Sequence, residues 1–300
     1  PLRAQAQRVE MALEQIGRPL TADDHALLEA LADVPHDAKL AIEVQSILDP
    51  YCIALVHINP EMRVKAARGP AESRLTQGGW TAFLVKVHNE SGTQAALRVR
   101  SPQAEPTLFA SSGRPRPREE HLLSPGQVAD RFLELEIYRR RPMTETLLGG
   151  DVEYQILLAY TNADGPREVQ LSFDVGAGTE DLGYRNALAF LFRSQASAKL
   201  VFDVRDVDGS PAMASFVIRD RVDRRAADNP RGDRAESPLW GPDPQSSRFR
   251  GIYPLPARRV AMTDEYPDFY FQRQVYRTTG EHVVLPPGTY DIFATRGPEY

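Results

Sequence analysis

The segment VEYQILLAYTNADGPREVQLSFDV, residues 152–175, indicates how this chain folds. Apolar side chains alternate along both of its halves, which is the period of a β-strand with two different faces. A short polar stretch that contains Asp164 and Gly165 joins the halves, and this dipeptide is typical of hairpin turns. Strands with one polar face and short connections predict antiparallel pairing in a sandwich and argue against an α/β sheet.

The first fifty residues have a different period. Their apolar side chains recur at helical spacing, and Gly17-Arg18-Pro19 and Asp49-Pro50 provide two stop signals. Thr21 stands three residues before Asp24, in the positions of a helix cap. Helices this short need a partner surface, so we expect them to dock on the strands that follow.

These patterns predict a mainly β fold with two antiparallel β-sandwich domains and a short N-terminal helical segment. The predicted boundaries are residues 1–50 for the helical segment, 51–193 for a first, Ig-like sandwich and 194–300 for a second sandwich. An irregular stretch at about 222–268 is dense in Arg, Asp and Pro. We predict that it is an insertion that folds over the second sandwich.

Charge and hydropathy restrict the partners. The net charge is −5. The first fifty residues contain nine acidic and four basic side chains, whereas the acidic and basic side chains of the remaining residues are equal in number. This distribution lacks the basic face of a nucleic-acid-binding protein. No apolar run approaches the roughly 20 residues that span a bilayer, so the sequence predicts no transmembrane segment. The compartment stays open, with a periplasmic or secreted location slightly favoured.

The sequence offers no local constellation for catalysis or metal binding. The single cysteine, Cys52, lies in an apolar strand and is interpreted as a buried structural thiol. The six histidines show none of the His-x-His or His-Glu-x-x-His spacings of common metal sites. His57 and His88 could meet across a sheet, but we interpret them as ordinary packing or surface residues. We therefore predict no catalytic residue, no metal ligand and no cofactor within these 300 residues.

Three aromatic residues in the predicted insertion suggest an alternative function. Trp240, Phe249 and Tyr253 carry flat apolar faces that can stack on a sugar. The alternative is a free-standing β-sandwich module that binds glycan or protein.

Two segments resemble a known module. KLVFDVRDVDGSPAMASFVIRD, residues 199–220, and GEHVVLPPGTYDIFATRGPEY, residues 280–300, look like the carboxypeptidase-regulatory, or transthyretin-like, β-sandwich. Versions of this sandwich module that end in RGPEY resemble the region ahead of the catalytic domain in CehA/McbA-type metallohydrolases, the carbaryl-hydrolase group. Upstream, HINPEMRVKAARGPA, GGWTAFLVKVHNESG and GAGTEDLGYRN are similar to the N-terminal part of large members of that group.

The resemblance implies that a longer polypeptide continues into a PHP-type (polymerase and histidinol phosphatase) hydrolase domain, which binds divalent metals. We expect this chain to be the non-catalytic accessory region that precedes that domain, and the downstream domain to be its partner. The metal is expected in the downstream domain. Arg296, Glu299 and Tyr300 are the candidate junction residues because they lie closest to that domain in the sequence.

Overall fold

The computed structural model describes residues 2–31, 34, 38–105, 124–176, 185–220, 252–253 and 274–296. The fold is mainly β, as the sequence predicts. The helices are α1 (Leu2–Gln15), α2 (Ala22–Ala30), α3 (Ala38–Leu48) and α4 (Pro125–Ala129). The strands up to residue 195 are β1 (Cys52–Ile58), β2 (Val64–Arg68), β3 (Arg74–Thr76), β4 (Gly79–Asn89), β5 (Arg98–Arg100), β6 (Leu133–Ile137), β7 (Val152–Thr161), β8 (Gly165–Asp174) and β9 (Ala187–Gln195).

These strands form two sheets that share one core. The order is β2-β1-β4-β7-β6 in the first sheet and β3-β9-β8-β5 in the second. The shared core combines side chains from both sheets, such as Val85 and Leu157 from the first and Leu171 and Phe192 from the second. The first sheet therefore has one face turned toward the second sheet, in a sandwich-like arrangement.

The opposite face of the first sheet carries the helices. Val9 and Leu13 of α1 and Val44 of α3 pack in one cluster with Tyr154 and Leu158 of the sheet. The predicted docking of the N-terminal helices is confirmed, and so is the cap of α2, where the Thr21 side chain accepts a hydrogen bond from the Asp24 backbone N–H.

One sequence-based expectation is wrong for β7. The alternation along β7 predicted one polar, solvent-facing side, but nearly every residue of the strand is buried. The helices cover the face of Tyr154, and the second sheet covers the face of Leu157. The sequence of a strand that is covered on both faces is typically an almost continuous run of apolar residues.

The expectation of purely antiparallel pairing is also wrong. β1 pairs in parallel with β4, and β3 pairs in parallel with β9. After β2 the chain continues beside the start of β1, where the Gly69 N–H bonds the Ile53 carbonyl oxygen. A Cβ atom at Gly69 would lie only 2.0 Å from the Cys52 carbonyl oxygen, so glycine permits this close approach.

Helix α1 also provides hydrogen-bond partners for the backbone of the first sheet. β6 pairs with β7 only from Leu157 to Thr161, so no strand among the described residues pairs with the beginning of β7 on that side. The buried Gln5 side chain accepts a hydrogen bond from the Tyr154 backbone N–H at 3.0 Å and donates one to the Tyr154 carbonyl at 3.3 Å. The side chain of Gln5 thus takes the place of a neighbouring strand.

The remaining strands form a second unit with its own small core. They are β10 (Ala198–Val201), β11 (Met213–Asp220), β12 (Ile252–Tyr253), β13 (Val275–Thr278), β14 (His282–Leu285) and β15 (Tyr290–Thr295). β10 pairs with β14, while β11 pairs with β12, β13 and β15. Phe202, Phe216 and Ile218 are among the buried residues of its core.

None of the helices in the described ranges has the length and apolarity that crossing a lipid bilayer requires.

Candidate functional site

Two histidines and a glutamate converge where β1 and β4 end. His57 and His88 are direct partners in the parallel pairing of these strands, so their side chains project from the same face of the sheet. Their ring centroids are 5.2 Å apart. The Glu90 N–H bonds the Ile58 carbonyl oxygen, which holds Glu90 beside both rings. We call this set the His/Glu cluster.

One carboxylate oxygen connects the two rings of the His/Glu cluster. Glu90 Oε1 lies 3.2 Å from His57 Nε2 and 3.9 Å from His88 Nδ1. His57 Nε2 is buried and makes no hydrogen bond to the residues around it in the described chain, because its contact with Glu90 lacks hydrogen-bond geometry. One donor atom from each residue can be chosen so that all three lie within 4.8 Å of one another. The cluster therefore brings together donor types that bind divalent metal ions.

A second polar group lies on the same face of the sheet, beneath the helices. Asp49, which follows α3, accepts a hydrogen bond from the Tyr154 hydroxyl at 2.7 Å and pairs with the Lys86 ammonium at 2.8 Å. Burial, and next the hydrogen bond to Asp49, raise the pKa of Tyr154. These three residues join the helical layer to the sheet, so we interpret them as a structural network.

Cys52 is a buried thiol, as its sequence context predicts. Burial, with a smaller effect of the Asp49 charge, raises its pKa to about 12. The thiol lies 3.6 Å from the Leu48 carbonyl oxygen, to which it donates. A thiol in this environment is not a nucleophile at neutral pH.

An arginine-rich cleft of about 700 Å³ lies between the sheet edges formed by β5 and β6. Arg98, Arg100, Arg139 and Arg140 contribute to its lining together with two glutamates. Arg100 lies 3.4 Å from Asp174, and Arg139 donates to the Leu97 carbonyl oxygen. Since these two cations are already engaged, the cleft is a weaker candidate than the His/Glu cluster.

Of the three predicted junction residues, the structure describes Arg296. Its guanidinium makes two parallel hydrogen bonds to the Asp206 carboxylate, at 2.9 and 3.0 Å. This pairing lowers the pKa of the Asp206 carboxyl below its ordinary value. Arg296 is thus tied to the turn that precedes β11. Glu299 and Tyr300 lie outside the described residues.

The outer face of the sheet around β11 exposes large apolar side chains. Met213, Tyr276 and Phe293 are 58%, 51% and 50% exposed, and the strand register places all three on the side opposite the buried Phe216. We call this surface the outer apolar face. Exposed apolar patches of this kind often mark interaction sites.

The predicted loop contacts lie almost entirely outside the described structure. Trp240 and Phe249 fall in ranges that the structure does not describe, as does most of the predicted insertion at 222–268. Tyr253 belongs to β12, where its backbone pairs with Ile218.

Sequence reasoning considered His57 and His88 together but missed Glu90. The available signal was the His-x-Glu spacing of His88 and Glu90, since residues two apart on a strand share a face. The Asp49 network was missed because its members are far apart in the sequence.

A scan against protein-family models and a search of curated proteins find no match for this chain.

Proposed function

We propose that this chain is the non-catalytic accessory region that precedes a PHP-type, metal-dependent hydrolase domain in a longer polypeptide. In this proposal the helices pack on an Ig-like sandwich, and a transthyretin-like sandwich presents a docking surface to the catalytic domain. The observation that carries the proposal is the outer apolar face of Met213, Tyr276 and Phe293.

The outer apolar face suits a neighbouring domain because it is made by regular strands. β11 pairs with β13 on one side and with β15 on the other, so the exposed side chains project from a hydrogen-bonded surface. Burying the exposed area of such side chains stabilises an interface by roughly 25 cal/mol for each Å² of apolar surface removed from water. A docked domain would obtain this contribution without rearranging the sheet.

The second unit has a physical reason to associate with a neighbour. Among the residues that the structure describes, its core holds Phe202, Ala214, Phe216, Ile218, Val275, Val283 and Leu285, a small set for an independent domain. Small cores leave little net stability, and association with another surface compensates for that deficit. The ion pair between Arg296 and Asp206 ties the residue that follows β15 to the turn before β11.

No contact in the described ranges favours the alternative of a glycan-binding module, whose proposed aromatic residues include Trp240 and Phe249. It stays a prediction from the sequence.

An activity assay tests the non-catalytic part of the proposal. The purified chain is incubated with chromogenic carboxylic and phosphate esters in the presence of Zn²⁺ or Mn²⁺. We expect no turnover above a heat-treated control. Turnover that disappears on chelation would contradict the proposal.

A binding experiment tests the docking surface. The coding sequence beyond Tyr300 is read, the domain that it encodes is expressed separately, and its affinity for this chain is measured by calorimetry. The double variant Met213→Asp/Tyr276→Asp is expected to weaken binding at least tenfold, because it places charge on the apolar face. The control Leu191→Asp changes an apolar residue that is 50% exposed on β9 of the first unit and should bind normally. A gene that stops at Tyr300, or equal binding by both variants, would refute the proposal.

A further inference from the structure

We propose that His57, His88 and Glu90 form a zinc site on the first sheet. The proposal concerns a site in this chain itself and is independent of the metal expected in a downstream catalytic domain. It is carried by the geometry of the His/Glu cluster.

The backbone fixes the relative positions of the three ligands. His57 and His88 are paired in register on adjacent parallel strands, and the ladder continues through the hydrogen bond between Glu90 N–H and Ile58 carbonyl oxygen. Ligands that project from a hydrogen-bonded sheet are held more rigidly than ligands on a loop. The three side chains thus begin close to a common point before any metal binds.

The distances fit a tetrahedral ion after small side-chain rotations. Zinc bonds of about 2.0–2.2 Å to nitrogen and oxygen place neighbouring ligand atoms about 3.2–3.6 Å apart. Glu90 Oε1 is 3.2 Å from His57 Nε2 and 3.9 Å from His88 Nδ1. The distance from Glu90 to His88 exceeds this range by a few tenths of an ångström. The donor atoms of the two imidazoles lie within 4.8 Å of each other, so rotation of the half-exposed His88 side chain must also bring the two rings closer.

The chemistry of the donors selects the metal. Two imidazoles and one carboxylate suit zinc better than calcium or magnesium, which prefer oxygen ligands. A ligand set of two histidines and one glutamate leaves a fourth position, and the exposure of His88 and Glu90 gives water access to it. Coordination to a metal ion would also give the buried His57 Nε2 a partner, because its contact with Glu90 is not a hydrogen bond.

The surrounding charges set a limit on affinity. Lys65 is the direct strand partner of His57 on the other side of β1, so a cationic residue occupies the same face. A nearby cation opposes metal binding by Coulomb repulsion. We therefore expect Lys65→Gln to strengthen zinc binding, and this variant provides a gain-of-affinity test.

Zinc binding is measured on the untagged chain after chelator treatment and dialysis. Competition with a chromophoric chelator gives the affinity and stoichiometry, and Co²⁺ substitution gives the geometry from its visible absorption. We expect one ion per chain, a tetrahedral cobalt spectrum and a metal-dependent rise in the midpoint of thermal unfolding.

Single variants identify the ligands. His88→Ala and Glu90→Gln each alter a half-exposed side chain, so the fold should persist, as circular dichroism can verify. Each is expected to lower zinc affinity at least tenfold and to abolish the cobalt spectrum. His25→Gln is the matched control because His25 also contacts a glutamate, Glu10, at 2.6 Å but on the helical layer. The absence of saturable binding, or wild-type affinity in either ligand variant, would overturn the proposal.

Discussion

Replacing Asp49 by alanine should destabilise the first unit more than removing the hydroxyl group of its partner Tyr154. Asp49 accepts from Tyr154 and pairs with Lys86, so its loss leaves a buried hydroxyl and a mostly buried ammonium without their acceptor. Leaving one buried polar group unsatisfied costs about 1–3 kcal/mol, and more when the group is charged. We expect Asp49→Ala to lower the free energy of unfolding by about 2–4 kcal/mol. Tyr154→Phe removes one hydrogen bond but keeps the ion pair, and should cost about 0.5–1.5 kcal/mol.

Urea unfolding provides the measurement. Trp80 lies in the core beneath the helices and reports on this layer, and a Trp240→Phe background removes the fluorescence of the other tryptophan. The exposed control Glu29→Ala should change stability by no more than about 0.5 kcal/mol. The interpretation of the network would be refuted if Asp49→Ala matched this control, or if Tyr154→Phe cost as much as Asp49→Ala.

Three further results are expected. Gly69→Ala should destabilise the fold by about 3 kcal/mol or more, because the added Cβ would overlap the Cys52 carbonyl oxygen. Gly126→Ala should be neutral, because the space around Gly126 is open. Thermal unfolding of both variants tests this. The pKa of Cys52 in the folded protein, about 12, lies above that of a free thiol. The protonated thiol therefore contributes its full stabilisation below about pH 8, and this contribution declines as the pH rises. The free energy of unfolding should fall by about 1–2 kcal/mol from pH 8 to pH 10, and Cys52→Ala should reduce that fall. Gln5→Leu should cost about 1–3 kcal/mol and speed amide exchange at Tyr154, and unchanged exchange would contradict the role assigned to Gln5.

Local signals in the sequence predicted the local structure well. The helical spacing and stop signals of the first fifty residues predicted helices. In the structure α1 ends at Gln15 and α3 ends at Leu48, each just before its stop signal. The Asp164-Gly165 turn is present between β7 and β8, where Gly165 has a φ of 73°. These features depend on a few neighbouring residues, so a linear pattern contains them.

Strand order was not predictable in the same way. The alternation in β1 and β4 indicates two strands, but their parallel pairing depends on the route of the intervening chain, which passes through β2 and then through β3 of the second sheet. The sequence allowed His57 and His88 to meet across a sheet, but their position as direct partners with Glu90 beside them depends on that pairing. Cover on both faces of β7 likewise depends on the helices and on the second sheet, which lie far away in the sequence.

The replacement of a strand by one glutamine has a practical consequence for anyone shortening this protein. A version that begins after α1 would lose the amide that closes the start of β7 and would present bare peptide groups beside Tyr154. Open β-edges recruit strands from other molecules. Such a version should self-associate at high concentration, a behaviour that light scattering would reveal.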